Sequence, residues 1–378
     1  MVVDPRRDHS IRVPRPDLTA ALGTPNSCNR CHSDRSAQWA SEQVVAWYGP
    51  MRPDDPHFGV ALSAGRSGRP GAERALLSLA QRQKLGPLIR SSAVALLGRY
   101  SSESNTDLLI ESLRDPEPLV RVAAVRSLDR LPLEDLARIL TPMLTDPIRL
   151  VRTEAARVLS IVPPHQLPAE HRDAFAAALA EFVNSQEATA DQPGAHLNLG
   201  VVYGNQGQLD RARSEYETAL RLDPSFVPVR FNLAILYDQL HDKRAAERVL
   251  REAIALAPKL ADGYYSLALL LAEDRDRLAE AAELLGTAAD LDPSRGRVLY
   301  NYGLALQQLG RTRDAERALR AANEREPTST DILHALAILY VAEKRWDEAR
   351  WCAEELVRVD PNNPRWRSLW TSVRQPAK

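Results

Sequence analysis

VPVRFNLAILYDQLHDKRAAERVLREAIALAP, residues 227–258, is the stretch from which the architecture is read. It holds a small residue at Ala234, an aromatic three places later at Tyr237, a second small residue at Ala246 and a closing proline at Pro258. The same set returns along the C-terminal half. Prolines stand at Pro224, Pro258, Pro293, Pro327 and Pro361, spaced 34, 35, 34 and 34. Small residues at Gly200, Ala234, Ala268, Gly303 and Ala337 let a first helix approach its partner, and Tyr203, Tyr237, Leu271, Leu306 and Tyr340 follow each by three. Ala212, Ala246, Ala281, Ala315 and Ala349 mark the crossing point on the second helix. A period of this length closed by proline predicts one helix-turn-helix unit per repeat.

These are five tetratricopeptide (TPR) units, spanning residues 193–362. The extra residue of the third falls in Glu273-Asp274-Arg275-Asp276-Arg277, a charged turn that can lengthen without disturbing packing. Residues 363–378 are expected to form a capping helix and tail, with Trp366 and Trp370 covering the open face of the last unit.

A second repeat precedes the first. Arg90, Arg121 and Arg152 stand 31 apart, as do Ala93, Ala124, Ala155 and Leu97, Leu128, Leu159. The pattern resembles HEAT repeats over residues 57–166. Asp115-Pro116 and Asp146-Pro147 each place an aspartate six residues before an arginine, so carboxylate and guanidinium are expected to alternate as a ladder between stacked units. Lys84 replaces the aspartate in the leading unit. Residues 167–192 read as a linker helix and hinge, Ala-rich at first and then polar into Pro193-Gly194.

Composition agrees with a helical chain and narrows its function. Hydrophobic residues make up 44% of the 378 and aromatics only 6%; 49 basic residues balance 50 acidic ones with both signs interspersed. That leaves no electrostatic footprint for nucleic acid or anionic lipid. No apolar run reaches the roughly 20 residues of a membrane span. No nucleophile elbow or other catalytic constellation stands out, and pairs such as Glu247-Arg251 and Glu316-Arg320 read as surface salt links. Of three cysteines, Cys352 lies mid-helix in the last repeat, where a buried inert thiol is expected.

The other two carry chemistry. Residues 1–56 have neither repeat and contain Cys28-Asn29-Arg30-Cys31-His32. Two thiols three positions apart can each form a thioether to a porphyrin vinyl group, and the adjacent imidazole then reaches the iron. The segment Asp8-His9-Ser10, Arg12-Val13-Pro14-Arg15-Pro16-Asp17 and Gly23-Thr24-Pro25-Asn26, leading into that motif, resembles the last haem-binding segment of multihaem c-type cytochromes that carry HEAT and TPR repeats. The resemblance implies an extracytoplasmic electron-transfer protein with one covalent haem c, anchored by Cys28 and Cys31, with His32 as proximal ligand. His9 is the candidate for the opposite axial position, His57 the runner-up, and Arg12 and Arg15 could pair with propionates. The same Cys28, Cys31 and His32, completed by His9 or His57, would alternatively supply a small zinc site. Haem attachment predicts export to the periplasm; because Met1 to Arg7 lack an apolar signal core, the chain is expected to be a fragment or to begin at an internal start.

The expected architecture is thus an all-α helical-repeat solenoid: an irregular haem-bearing arm, a HEAT-like stack and a five-unit TPR superhelix. On the first helices, Val201, Ile235, Leu269, Leu304 and Ile338 line one face, with Leu197, Phe231, Tyr265, Tyr300 and His334 four places earlier. Asn198, Asn232 and Asn301 add amides able to donate and accept at once. This concave, apolar stripe is a candidate groove for a peptide or partner helix. Two functions follow: a redox protein whose solenoid docks an electron-transfer partner, or a non-enzymatic scaffold whose activity is protein recognition.

Overall fold

The computed structural model describes residues 15–49, 57–100 and 102–374. Every regular element among them is helical. They fall into two compact units, one through Ala190 together with the turn Asn205–Gln208, the other from Asp191 onward.

The first unit opens with α1 (Pro16–Leu22), the single turn α2 (Cys28–Cys31) and α3 (Ala37–Tyr48), with α1 packed on α3. Gly23, at φ 71, ends α1 in the left-handed region where a side chain is strained, and Ser36 caps α3 through the Trp39 amide. The stack proper runs through α4 (Phe58–Arg66), α5 (Ala72–Ala80), α6 (Pro87–Leu97), α7 (Glu103–Ser112), α8 (Pro118–Ser127), α9 (Leu133–Leu140), α10 (Arg149–Leu159) and α11 (Arg172–Glu187). Prolines begin α6 and α8, where a missing N–H costs nothing. Ala93, Ala124 and Ala155 are wholly buried, and Leu97, Leu128 and Leu159 fill the layers between them, so the 31-residue period is the period of the core.

The arginine ladder forms, and its direction is forward. Arg90 on α6 reaches Asp115 of the next unit at 2.5 and 3.1 Å, and Arg121 on α8 reaches Asp146 at 2.8 and 3.0 Å. Each aspartate also accepts a backbone N–H at the start of its own helix, from Glu117 or Ile148. Arg121 and Arg152 donate in turn to the carbonyls of Asp115 and Asp146, so every rung ties side chain, turn and helix start together. The last guanidinium, Arg152, finds Glu181 on α11 at 2.8 and 2.9 Å. The helix expected as part of a linker therefore supplies the closing rung and packs on α10.

The second unit pairs α12 (Pro193–Asn205) with α13 (Leu209–Leu222), α14 (Val227–Gln239) with α15 (Lys243–Leu256), α16 (Ala261–Ala272) with α17 (Leu278–Leu291), α18 (Gly296–Gln308) with α19 (Thr312–Arg325), and α20 (Thr330–Ala342) with α21 (Trp346–Val359). Ala212, Ala246, Ala281, Ala315 and Ala349 have no solvent exposure. A methyl added at Gly200 would overlap the Tyr216 ring, and one at Gly303 would stand 2.6 Å from Leu319 Cγ, so glycine is required where the second helix brings a bulky side chain. Asp223-Pro224-Ser225 and Asp292-Pro293-Ser294 form Asx turns, the aspartate accepting from the serine hydroxyl at 2.6 Å. Within the units the first helix turns into the second through a left-handed residue: Gly207, His241, Gly310 and Lys344. The third unit replaces that residue with a one-turn 3-10 segment, Arg275–Arg277, which absorbs its extra residue. The chain closes with α22 (Pro364–Arg374), which buries Trp366 against Leu333 and Leu356 of the last pair.

Ion pairs on the second helices join successive TPR units. Glu247 takes Arg251 from its own helix at 2.7 Å and Arg277 from the next unit at 2.5 Å, and Glu280 binds the same two guanidinia. The Arg277 bond, opposed by partial burial and helped by Arg251, holds the Glu247 carboxyl down from 4.5 to about 2.

Two outcomes follow for stability. Asp146→Ala leaves the nearly buried Arg121 without a carboxylate and removes the Ile148 cap; urea unfolding should show a loss of about 3–5 kcal/mol, whereas a loss within experimental error would mean the ladder is dispensable. A folded-state pKa below the unfolded value means that the stabilisation from Glu247 is complete above pH 4.5 and disappears as pH falls toward about 2. Arg277→Ala should flatten that acid limb of the melting profile while lowering stability at neutral pH.

Candidate functional site: the first-helix face and the cysteine arm

The side chains expected to line the TPR groove share one face but differ in exposure. Ile235 on α14 is 59% exposed, Leu269 on α16 42% and Ile338 on α20 43%. Val201 and Leu304, at the same repeat position, are half-buried. Phe231, Tyr265, Tyr300 and His334 are likewise half-buried, one helical turn earlier. Contacts run between neighbouring first helices: Asn301 donates through Nδ2 to the Tyr265 hydroxyl at 2.8 Å, and Arg297 on α18 pairs with Asp331 on α20 at 3.2 Å. Asn198 is exposed and Asn232 half-buried.

The rings are covered by cations that the repeat pattern did not reveal. Arg295 lies over Tyr265 at 4.8 Å and bonds Asp262 at 2.5 Å; Arg297 lies over Tyr300 at 5.2 Å. Arg365 of α22 lies over Trp366 at 5.2 Å and 3.3 Å from His334 Nε2. Burial, then the Arg365 charge, hold His334 below the ordinary histidine value, while burial and Asp331 raise the Tyr300 phenol. The face is therefore apolar at its centre with compensated charges at its edge. Asp262, Arg297, Asp331 and Arg365 stand at one repeat position, 35, 34 and 34 apart, where charges of alternating sign hide the recurrence.

The cysteine arm is pinned by amides. Asn26 accepts from the Asn29 backbone at 3.0 Å and donates to Thr19 and to the Asn29 side chain, both at 2.9 Å; Asn29 donates to the Arg35 carbonyl at 2.7 Å. This holds the turn on which Cys28 is half-buried and Cys31 exposed, both as free thiols, with His32 capping the turn through its N–H to the Cys28 carbonyl. The His32 ring lies beside Trp39, centroids 5.1 Å apart. Two thiols three positions apart on one turn, followed by an imidazole, are the residue types that thioether attachment and axial ligation of a haem would require. Among the described residues no three His, Cys, Asp or Glu side chains cluster to hold a metal ion.

The candidate axial partners fare differently. His9 and Arg12 lie outside the described residues. His57 caps α4, its Nδ1 accepting from the Gly59 N–H at 3.1 Å. That bond places the ring proton on Nε2, the reverse of a metal-ligating histidine, which donates from one nitrogen and binds through the other. Arg15 is spent on Asp17, at 2.7 Å. Cys352 is wholly buried in α21, and burial pushes its thiol up to about 12. Among the described residues no helix is long and apolar enough to cross a membrane.

Comparison with known proteins assigns the same repeats. Profiles described as HEAT repeats match residues 74–160 and 106–190, and tetratricopeptide-repeat profiles match 205–273, 271–328, 308–371 and 170–225. Both kinds claim α11. The chain is 27% identical over 180 residues to the human protein O-mannosyl-transferase TMTC3, covering 48% of this chain and 18% of that protein. It is 28% identical over 162 residues to the type IV pilus assembly protein PilF of Pseudomonas aeruginosa, covering 41% and 62%. The chain thus spans less than two thirds of the length of either relative. Among solved structures, YrrB, titled a TPR protein with an unusual peptide-binding site, aligns with TM-score 0.42 and 18% identity over 51% of this chain and 97% of its own. The chain is an all-α repeat protein, built from HEAT repeats followed by tetratricopeptide repeats.

Proposed function

We propose that this chain is a protein-interaction scaffold whose TPR first-helix face takes a segment of a partner protein. The observation that carries the reading is the exposure of Ile235, Leu269 and Ile338 at one repeat position in the middle of the first helices, where Leu233, Leu267 and Leu336 beside them are buried. Apolar side chains left in water at a repeated site gain free energy when a partner covers them, about 25 cal/mol for each Å² removed. Phe231, Tyr265 and Tyr300 border that stripe, and the Asn232 amide stands within it. In a selection of displayed peptides on the full chain, Ile235→Glu and Leu269→Glu should each weaken capture at least about tenfold with an unchanged melting curve. Binding that survives both substitutions places the groove elsewhere.

A second reading concerns the arm and is favoured by its two accessible thiols. Cys28 and Cys31 would hold a haem by thioether bonds and His32 would ligate its iron; such a group, when bound, supplies one-electron transfer. The arm's own residues then set position: Asn26 and Asn29 fix the turn, and Trp39 borders the imidazole. In this reading the chain is a periplasmic electron-transfer protein whose solenoid docks a redox partner. Protein matured with haem-ligation machinery should keep its Soret band through acid-acetone extraction, and Cys28→Ala with Cys31→Ala should lose it. In haem-free protein at about pH 8 a maleimide should label Cys28 and Cys31 and spare Cys352. Bare sulfurs in natively matured protein would leave the scaffold reading alone.

A further inference from the structure

We infer that the occupant of the first-helix face is an aliphatic, uncharged stretch of polypeptide, and that the face refuses an acidic one. The inference rests on the groove reading above and adds the chemistry of the ligand.

The centre of the face offers little but dispersion and desolvation. Ile235 and Leu269 are its most exposed aliphatics on α14 and α16, with Phe231 and Tyr265 half-buried beside them. A charged side chain seated there would lose hydration with nothing in exchange.

The cations bordering that centre already have carboxylates. Arg295 holds Asp262 at 2.5 Å and Arg297 holds Asp331 at 3.2 Å. Both guanidinia are further engaged with ring faces, Arg295 with Tyr265 and Arg297 with Tyr300. An incoming carboxylate would have to share a guanidinium whose charge an internal aspartate already offsets, in a half-exposed pair that contributes almost nothing. Arg365 has no carboxylate partner among the described residues, but it stands on α22 beside His334, beyond the fifth unit and away from Ile235 and Leu269.

Neutral hydrogen bonding remains on offer. Asn301 spends an amide N–H on Tyr265, whereas the Asn232 side chain, one turn before Leu236 and three residues before Ile235, makes no hydrogen bond to another described residue. One amide can donate to and accept from a peptide backbone, which every sequence presents. An apolar side-chain row with an amide beside it therefore reads backbone plus aliphatic side chains, and no charge.

The test is selection of random displayed peptides on the full chain, followed by binding of the best synthetic peptide to wild type, Ile235→Glu, Leu269→Glu and Arg365→Gln, each with a melting curve to confirm folding. The expected winners are rich in Leu, Ile and Val and poor in Asp and Glu. Their affinity should change less than about twofold between about 50 and about 500 mM salt, since no ion pair is screened, and should be indifferent to Arg365→Gln. An acidic consensus, a loss of about tenfold or more with salt, or dependence on Arg365 overturns the inference while leaving the groove standing if Ile235→Glu still abolishes binding. Winners indifferent to Ile235→Glu and Leu269→Glu, or no enrichment at all, overturn the groove reading and this inference with it. Concentration-dependent dimerisation abolished by Ile235→Glu would assign the face to a second copy and likewise overturn it.

Discussion

Each TPR hairpin depends on two helices touching at a point where nothing larger than a methyl group fits. Ala212, Ala246, Ala281, Ala315 and Ala349 occupy that point from the second helix and are wholly enclosed. From the first helix the opposing position is alanine in three units and glycine in two, and the glycines answer the Tyr216 ring and the Leu319 side chain. A helix pair with larger residues there would stand apart, and its leucines would no longer meet. The approach also decides what is left over: once the crossing is fixed, the opposite face of the first helix cannot turn inward. Ile235 and Leu269 are exposed because Ala234 and Ala268 are buried one residue away.

The two arrays hold their repeats together by different electrostatics. In the HEAT stack the pairs are enclosed, Arg90 with Asp115 and Arg121 with Asp146, and each aspartate accepts a backbone N–H as well. Charges removed from water need that complete set of partners, which is why one side chain secures guanidinium, turn and helix start at once. In the TPR array the networks of Glu247, Arg251, Arg277 and Glu280, and of Glu316 with Arg345, lie near solvent. They are screened and individually weak. There the packing of small residues carries the stacking, and the ion pairs add acid sensitivity.

The cysteine arm shows how local chemistry and its surroundings separate. Spacing alone brings Cys28, Cys31 and His32 onto one turn, and Asn26 and Asn29 stabilise that turn with bonds that span at most seven residues. The companions proposed from sequence are another matter. His57 is occupied as a helix cap through the nitrogen that a ligating histidine would use to donate, and Arg15 is held by Asp17 two residues away. Short-range bonds of this kind compete with any distant role, and no motif announces them.

Period and composition determined the helices, the two repeat types and their order, because a solenoid writes its contacts between neighbours at a fixed interval. The alanine, proline and arginine series were therefore legible residue by residue, as was the capping role of Trp366. Tertiary structure decided what a repeat pattern averages away. It set the direction of the ladder, the use of Glu181 as its last rung, and the left-handed turns at His241 and Lys344, where no glycine signals them. It also decided that Ile235, Leu269 and Ile338 stay exposed while Leu304 is half-buried, and that Arg295 and Arg297 are spent on Asp262, Asp331 and two tyrosine rings. The reason is physical: periodicity records which face a residue occupies, whereas exposure and charge pairing depend on the particular side chains that adjacent units bring beside it.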